Sequence, residues 1–212
     1  MPPRKKTKQI EEFGDFQTPY SLARDACDVL SRLQVKPATI IEPTCGEGSF
    51  LLAALDAFSS AEQVLGRDIN PAYVDVTARL LADHPQGGKA RVAQADFFST
   101  DWAGLLAACA EPILIVGNPP WVTNSGLGVL GSSNLPEKSN FHGYAGLDAI
   151  TGKSNFDISE WMLIQLLECL DSRTATLAML CKTAVARKVL VHAWKRQLNV
   201  GSAALYGIDA AK

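Results

Sequence analysis

The sequence has no long apolar run, no excess of either charge, and few of the residues that build metal or disulfide sites. No stretch approaches the roughly 18 consecutive apolar residues of a bilayer-spanning helix. The basic start, Met1 to Gln9, has no hydrophobic stretch behind it, which argues against a secretory signal. Lys and Arg number 20 against 22 Asp and Glu, for a formal net charge of −2. The chain as a whole is therefore no electrostatic sponge for nucleic acid. Cysteines are few: Cys27, Cys45, Cys109, Cys169 and Cys181. They are scattered, odd in number and form no C-x-x-C pair, so a reducing, cytoplasmic compartment is expected rather than a disulfide framework or a zinc site. His84, His142 and His192 lie far apart. They offer neither metal-ligand spacing nor a nucleophile–base pair.

What is present is a globular composition. The 212 residues are 47% hydrophobic and 20% charged, enough for one large domain with a sizeable core. Residues 1–14 carry Arg4, Lys5, Lys6 and Lys8 and read as a flexible basic tail, with a phosphate-touching arm as the sharper alternative. The main domain is expected over 15–212. Its first helix should begin near Thr18, with Thr18 as cap and Pro19 at the first helical position. Strands at 39–42, 63–69, 90–95 and 113–117 then alternate with helices at 49–58, 71–84 and 101–109. That alternation predicts an α/β fold with a mostly parallel, doubly wound sheet. Residues 122–155, rich in Gly, Ser and Asn, break the pattern. They are expected to form a mobile flap beside the site; an inert insertion is the competing reading. A helix should resume at Asp157, a cap with Glu160 as its box partner. A strand at 174–181, a helix at 184–198 and a final strand at 202–208 complete the expectation.

Four motifs fall at strand ends. Glu42-Pro43-Thr44-Cys45-Gly46-Glu47-Gly48-Ser49-Phe50 leads from a strand into a helix. Gly46 and Gly48 permit a tight turn and close approach of a ligand. Leu51 replaces the third glycine of G-x-G-x-x-G, so the dinucleotide fingerprint is incomplete. Asp68, with Ile69 beside it, ends the second strand, where a carboxylate can accept from ribose hydroxyls; a surface aspartate is the plainer reading. Asp96-Phe97-Phe98 follows the third strand, where the carboxylate can accept from an adenine amino group and an aromatic can stack on the ring. The plainer reading is a solvated aspartate before two core phenylalanines. Three such signals at consecutive strand ends point to one crevice for an adenosine-like ligand. Asn118-Pro119-Pro120-Trp121 ends the fourth strand. The prolines remove two donors and leave a set of acceptors beside an aromatic plate. That suits a planar group with an exocyclic NH₂, whose lone pair becomes localised when both hydrogens are accepted.

Asn118-Pro119-Pro120-Trp121 resembles the (D/N/S)-P-P-(Y/F/W) signature of S-adenosylmethionine-dependent amino-methyltransferases. Glu42 to Phe50 resembles their methyl-donor motif, and Asp68 and Asp96-Phe97 resemble the acidic motifs that follow it. Phe16-Gln17-Thr18-Pro19 is similar to the extra segment of the gamma-type (N12 class) DNA adenine-N6 methyltransferases. The resemblance runs over residues 13–183 and implies a Rossmann-like methyltransferase fold. It implies S-adenosylmethionine as cofactor and adenine in DNA, flipped from the duplex, as acceptor. Cytosine-N4 is disfavoured by Asn118. In this family Gln17 and Thr18 would close over the methionine end, with Glu42, Thr44, Cys45, Gly46 and Gly48 alongside. Asp68 and Ile69 would hold the ribose side, and Asp96 and Phe97 the adenine. Asn118 and the Pro119 carbonyl would accept from the target amine, with Pro120 stiffening the turn and Trp121 stacked on the base. Asn118 would also border the cofactor. No metal is implied. Lys182 is a candidate for the target pocket, or a snorkelling lysine.

The family's closing strand after Tyr206-Gly207, its late aromatic motif and its target recognition domain are not found. The chain is therefore expected to be the amino-terminal catalytic part of a longer protein, with a carboxyl-terminal domain or partner subunit for DNA recognition. A restriction–modification or phage-defence role is the expected setting. Two other classes remain: an amino-methyltransferase of RNA or protein glutamine, and a non-catalytic cofactor-binding or scaffold fragment.

Overall fold

The computed structural model of the chain describes residues 17–121 and 157–208. The expected basic tail, Phe16 and the expected flap at 122–155 lie outside the described residues. Among the described residues, five strands form one sheet: β1 Thr39–Glu42, β2 Gln63–Asp68, β3 Ala90–Gln94, β4 Ile113–Gly117 and β5 Ala175–Met179. Their order is β3-β2-β1-β4-β5 and every pairing is parallel. Among the described residues, six α-helices accompany them: α1 Tyr20–Arg32, α2 Ser49–Ala57, α3 Pro71–Asp83, α4 Trp102–Ala107, α5 Ile158–Cys169 and α6 Thr183–Arg196. This is the Rossmann-like, doubly wound arrangement expected from the alternation.

Both sheet faces are covered, which is why the central strands read as unbroken apolar runs. Ile40, Leu114 and Val116 face one cluster, built with Ala23 and Cys27 of α1, Phe50 and Leu51 of α2, and Leu81 of α3. Ile41, Ile113 and Ile115 face the other, built with Trp102 and Leu106 of α4 and Met162 and Leu166 of α5. Successive residues of a strand thus serve opposite layers. Val185 and Val189 of α6 pack on Leu163 and Ile164 of α5.

The caps follow local chemistry. Asn70 accepts from the Ala72 N–H at 3.0 Å ahead of Pro71, and Asp101 accepts from the Gly104 N–H at 2.9 Å. Asp157 caps α5 by accepting from the Ser159 N–H at 3.1 Å. The first helix departs from expectation. Pro19, not Thr18, is its cap residue, and no side chain caps it. Thr18 is drawn away instead: its carbonyl accepts from Ser49 Oγ at 2.7 Å and its hydroxyl from Asn118 Nδ2 at 3.1 Å. The strand expected at 202–208 is also corrected. These residues are exposed and make no ladder pairing with the described strands. β5 ends the described sheet, yet these residues do not join it; strand-like composition alone does not make a strand without ladder bonds.

The sheet reverses direction at β1, since β2 and β3 build to one side and β4 and β5 to the other. In open α/β sheets the crevice at that switch, outside the carboxyl ends of the strands, is where ligands bind.

Candidate active site

The β1–α2 turn is the floor of the crevice. Gly46 has φ +50° and Gly48 φ +86°, conformations that a side chain disfavours. Gly48 ends in the left-handed conformation at the start of α2, where a Cβ would stand 2.7 Å from Thr77 Cγ2. The turn is braced from three sides. Asp68 Oδ2 accepts from the Gly46 N–H at 2.8 Å. Thr77 Oγ1 donates to the Gly46 carbonyl at 2.9 Å, and the Arg67 carbonyl accepts from the Cys45 N–H at 2.8 Å. The fourth brace is the amino-terminal segment, since Gln17 Oε1 accepts from the Glu47 N–H at 2.9 Å.

The ends of all four motifs line one open cleft, which runs on well beyond them along the β5 side of the sheet. Gln17, Thr18, Glu42, Thr44, Cys45 and Gly46 line its β1 side. Asp68, Ile69, Asp96 and Phe97 line its β2–β3 side. Asn118, Pro119, Pro120 and Trp121 line it at β4, and Lys182 at β5. Gly48 alone of the expected site residues does not line it; it faces Thr77 and shapes the turn.

Several acceptors on the residues lining the cavity go unmet. Glu42 is buried, and its Oε2 finds no hydrogen-bond partner among the described residues. Burial pushes its carboxyl well above the usual range, opposed by the Leu51 N–H and reinforced by Asp68. Thr44 Oγ1 and Asn118 Oδ1 are likewise buried and without a partner among the described residues. Three buried oxygens on residues that line one cleft lack donors, and an unmet buried acceptor is costly, so a donor-rich ligand suits this wall. Burial also raises the Cys45 thiol, which leaves it an uncharged wall rather than a nucleophile.

Asp68 holds the turn and the chain beyond it, since its Oδ1 accepts from the Asn70 N–H at 2.8 Å. Ile69 is exposed beside it. Asp96 Oδ1 accepts from the Phe98 N–H at 2.9 Å and so caps a short 3₁₀ turn, Phe97–Ser99. Phe97 is buried against Trp102, with ring centroids 4.8 Å apart, while also touching the cavity wall. Trp121 is 46% exposed, with Nε1 donating to the Leu180 carbonyl at 3.4 Å. Lys182 pairs with buried Asp157 at 2.6 Å and donates to the Trp121 carbonyl at 3.4 Å.

What sequence reasoning missed are roles exerted at a distance: Thr77 altogether, and the partners of Ser49 and Asp157. Ser49 and Thr77 brace the turn, and Asp157 anchors Lys182. The Tyr20 hydroxyl donates to Asp56 Oδ2 at 2.5 Å, and His84 lies 3.2 Å from Oδ1 of the same carboxylate. His84 Nδ1 accepts from the Gln86 N–H, so its Nε2 carries the hydrogen that Asp56 accepts. This network ties α1, α2 and the end of α3 together just outside the cavity.

A family model for N-6 DNA methylases matches residues 5–185. The chain is 48% identical over 204 residues to the Type II methyltransferase M.NspV of Nostoc sp. (strain ATCC 29411 / PCC 7524), covering 95% of this chain and 42% of that protein. It is 30% identical over 131 residues to the Type II methyltransferase M.XamI of Xanthomonas campestris pv. amaranthicola, covering 62% of this chain and 23% of that protein. The chain therefore spans less than half the length of either relative. A solved structure from Pyrococcus horikoshii, described as a "putative RNA methyltransferase", superimposes with a TM-score of 0.50 at 16% identity, covering 85% of this chain and 69% of that one. That likeness bears on the fold alone. The family match takes in all four strand-end motifs of the cavity, and on that ground the chain belongs to the N-6 DNA methylase family.

Proposed function

We propose that the chain transfers a methyl group from S-adenosylmethionine to the N6 amino group of adenine in DNA, within a restriction–modification protein. One observation carries the reading: Asn118 Oδ1 stands buried and unpaired among the described residues, at the strand end beside half-exposed Trp121. The described cavity fits the cofactor. Its buried acceptors have no cation among themselves, and the ligand brings an ammonium, a sulfonium, ribose hydroxyls and an adenine amino group. Glu42 would take the ammonium, and Thr44, Cys45 and Gly46 would border the methionine end under Gln17 and Thr18. Asp68 would accept from the ribose hydroxyls, with Ile69 against the base. Asp96 would accept from the adenine amino group, with Phe97 behind the ring.

When bound, S-adenosylmethionine supplies a methyl group activated on sulfur. The protein's own part is orientation and preset acceptors. Asn118 Oδ1 and the Pro119 carbonyl accept the two hydrogens of the target amine. This localises the nitrogen lone pair and turns it toward the donor. Pro120 keeps the turn rigid, and Trp121 stacks on an adenine flipped out of the duplex. The curated relatives are longer than this chain, and a further domain or partner subunit would read the DNA sequence. The match to the N-6 DNA methylase family supports DNA, rather than RNA or protein, as the substrate.

The test uses methyl-labelled S-adenosylmethionine with separate pools of unmethylated DNA, RNA and protein. N6-methyladenine in the DNA digest, lost in Asn118→Ala, is the expected result. Label in another pool, or full transfer by Asn118→Ala, would overturn it. No label in any pool would leave a cofactor-binding or scaffold part.

A further inference from the structure

The hydrogen bond between Thr18 and Asn118 joins residues 100 positions apart in the chain. It also joins the two halves of the crevice. On one side, the Thr18 carbonyl accepts from Ser49 Oγ at 2.7 Å, and the neighbouring Gln17 side chain accepts from the Glu47 N–H. Both contacts are to the β1–α2 turn. On the other, the Thr18 hydroxyl accepts from Asn118 Nδ2 at 3.1 Å, at the end of β4. Thr18 is thus fastened to both sides through different atoms.

The consequence for Asn118 is directional. An amide has a donor end and an acceptor end. With Nδ2 held by Thr18, Oδ1 is the end that faces away, buried and without a partner among the described residues. A hydroxyl can bond an amide through either end, so what lies on the far side decides the matter. Turned over, the amide would place two N–H hydrogens in that dry position with nothing to accept them. They would also oppose the hydrogens of any incoming amine. Held as it is, the amide shows that amine an acceptor.

We propose that Thr18 is a positioning residue: its hydroxyl anchors the Asn118 amide with the oxygen toward the methyl acceptor, and its carbonyl keeps that amide in register with the β1–α2 turn. The proposal rests on the methyltransferase reading for its effect on rate, but not for the anchoring itself. It moves Thr18 from a cofactor ligand to a link between the donor and acceptor sides. The hydroxyl is already engaged, so the cofactor has less claim on it.

Two measurements separate these roles. The first needs no turnover. In the ¹⁵N-asparagine-labelled chain, the Asn118 side-chain amide is assigned by its loss in Asn118→Asp. Thr18→Val, which keeps the branched shape, is expected to shift or broaden that signal; Thr18→Ser, which keeps the hydroxyl, is expected to leave it sharp. An Asn118 amide signal unchanged in Thr18→Val overturns the anchoring. The second is transfer at saturating S-adenosylmethionine, alongside calorimetric affinity for that cofactor. Thr18→Val is expected to lower kcat about tenfold, the scale of one hydrogen bond, with affinity changed less than about threefold. Thr18→Ser should recover most of the rate. A weakened affinity with unchanged kcat would make Thr18 a cofactor ligand and overturn the positioning role. Absence of transfer in the unsubstituted chain would defeat the functional reading, while the amide signal would still decide the anchoring.

Discussion

Single side chains in this crevice do more than one job. Asp68 is the clearest case: each oxygen already accepts from a backbone N–H, of Gly46 and of Asn70. A carboxylate oxygen has a second lone pair, so the same group can also receive ribose hydroxyls. Asp68→Ala is therefore expected to weaken S-adenosylmethionine binding by roughly 1.5–3 kcal/mol, the range for hydrogen bonds to a charged group. Titration calorimetry reads it directly; an unchanged affinity would take Asp68 out of the cofactor site. Glu42 carries a different signature. Its folded carboxyl titrates well above the ordinary range because it is buried. Below about pH 4.3, the usual value for Glu, both folded and unfolded chains hold the proton. As pH rises above that, the unfolded chain alone releases it, and stability falls until the folded group ionises too. Glu42→Gln should flatten that fall and raise the melting temperature at neutral pH. Parallel melting curves for the two proteins across pH 4–8 would show that Glu42 does not set the slope.

Elements carry the site by their ends. Gly48 starts α2 at φ +86° with Thr77 of α3 pressed against it. Gly48→Ala is expected to cost about 1–3 kcal/mol through backbone strain and contact with Thr77. Thermal melting should show the loss, and an unchanged melting temperature would mean that the turn relaxes freely. At the other side of the crevice, Asp157 accepts from the Ser159 N–H, Ser159 Oγ and Lys182 Nζ. Asp157→Ala should destabilise by about 1–2 kcal/mol through the lost cap. It should also free Lys182 from its hold beside Trp121, which quenching of tryptophan fluorescence would register. Much of this layer was legible in the sequence. Ile113 to Val116 reads as a strand because both faces are buried, and the acidic residues announce themselves by standing where strands stop. What could not be read was pairing at long range. Thr18 has the local chemistry of a cap, and only the fold brings Asn118 to it. Residues 202–208 have strand-like composition, yet they stay exposed and do not join the open edge at β5, a matter of tertiary pairing that composition does not decide. Phe97 satisfies the core and the cavity wall at once, a choice that no local pattern decides.

At the scale of the molecule, strand order has a consequence in time. β2 pairs with β1, and β3 with β2, over short spans of chain. β4 must then return across both to pair with β1, setting Ile113 beside Thr39. Contacts between distant positions close late, because loop-closure entropy must be met before they form. The half of the crevice that would receive the cofactor is thus built from contacts able to form early. The half that would receive the base, and the Thr18–Asn118 bond that ties the two, waits for a segment a hundred residues downstream. During synthesis, the β1–β2–β3 side of the crevice is thus able to assemble first, and the side that carries Asn118 joins it only once β4 has paired with β1.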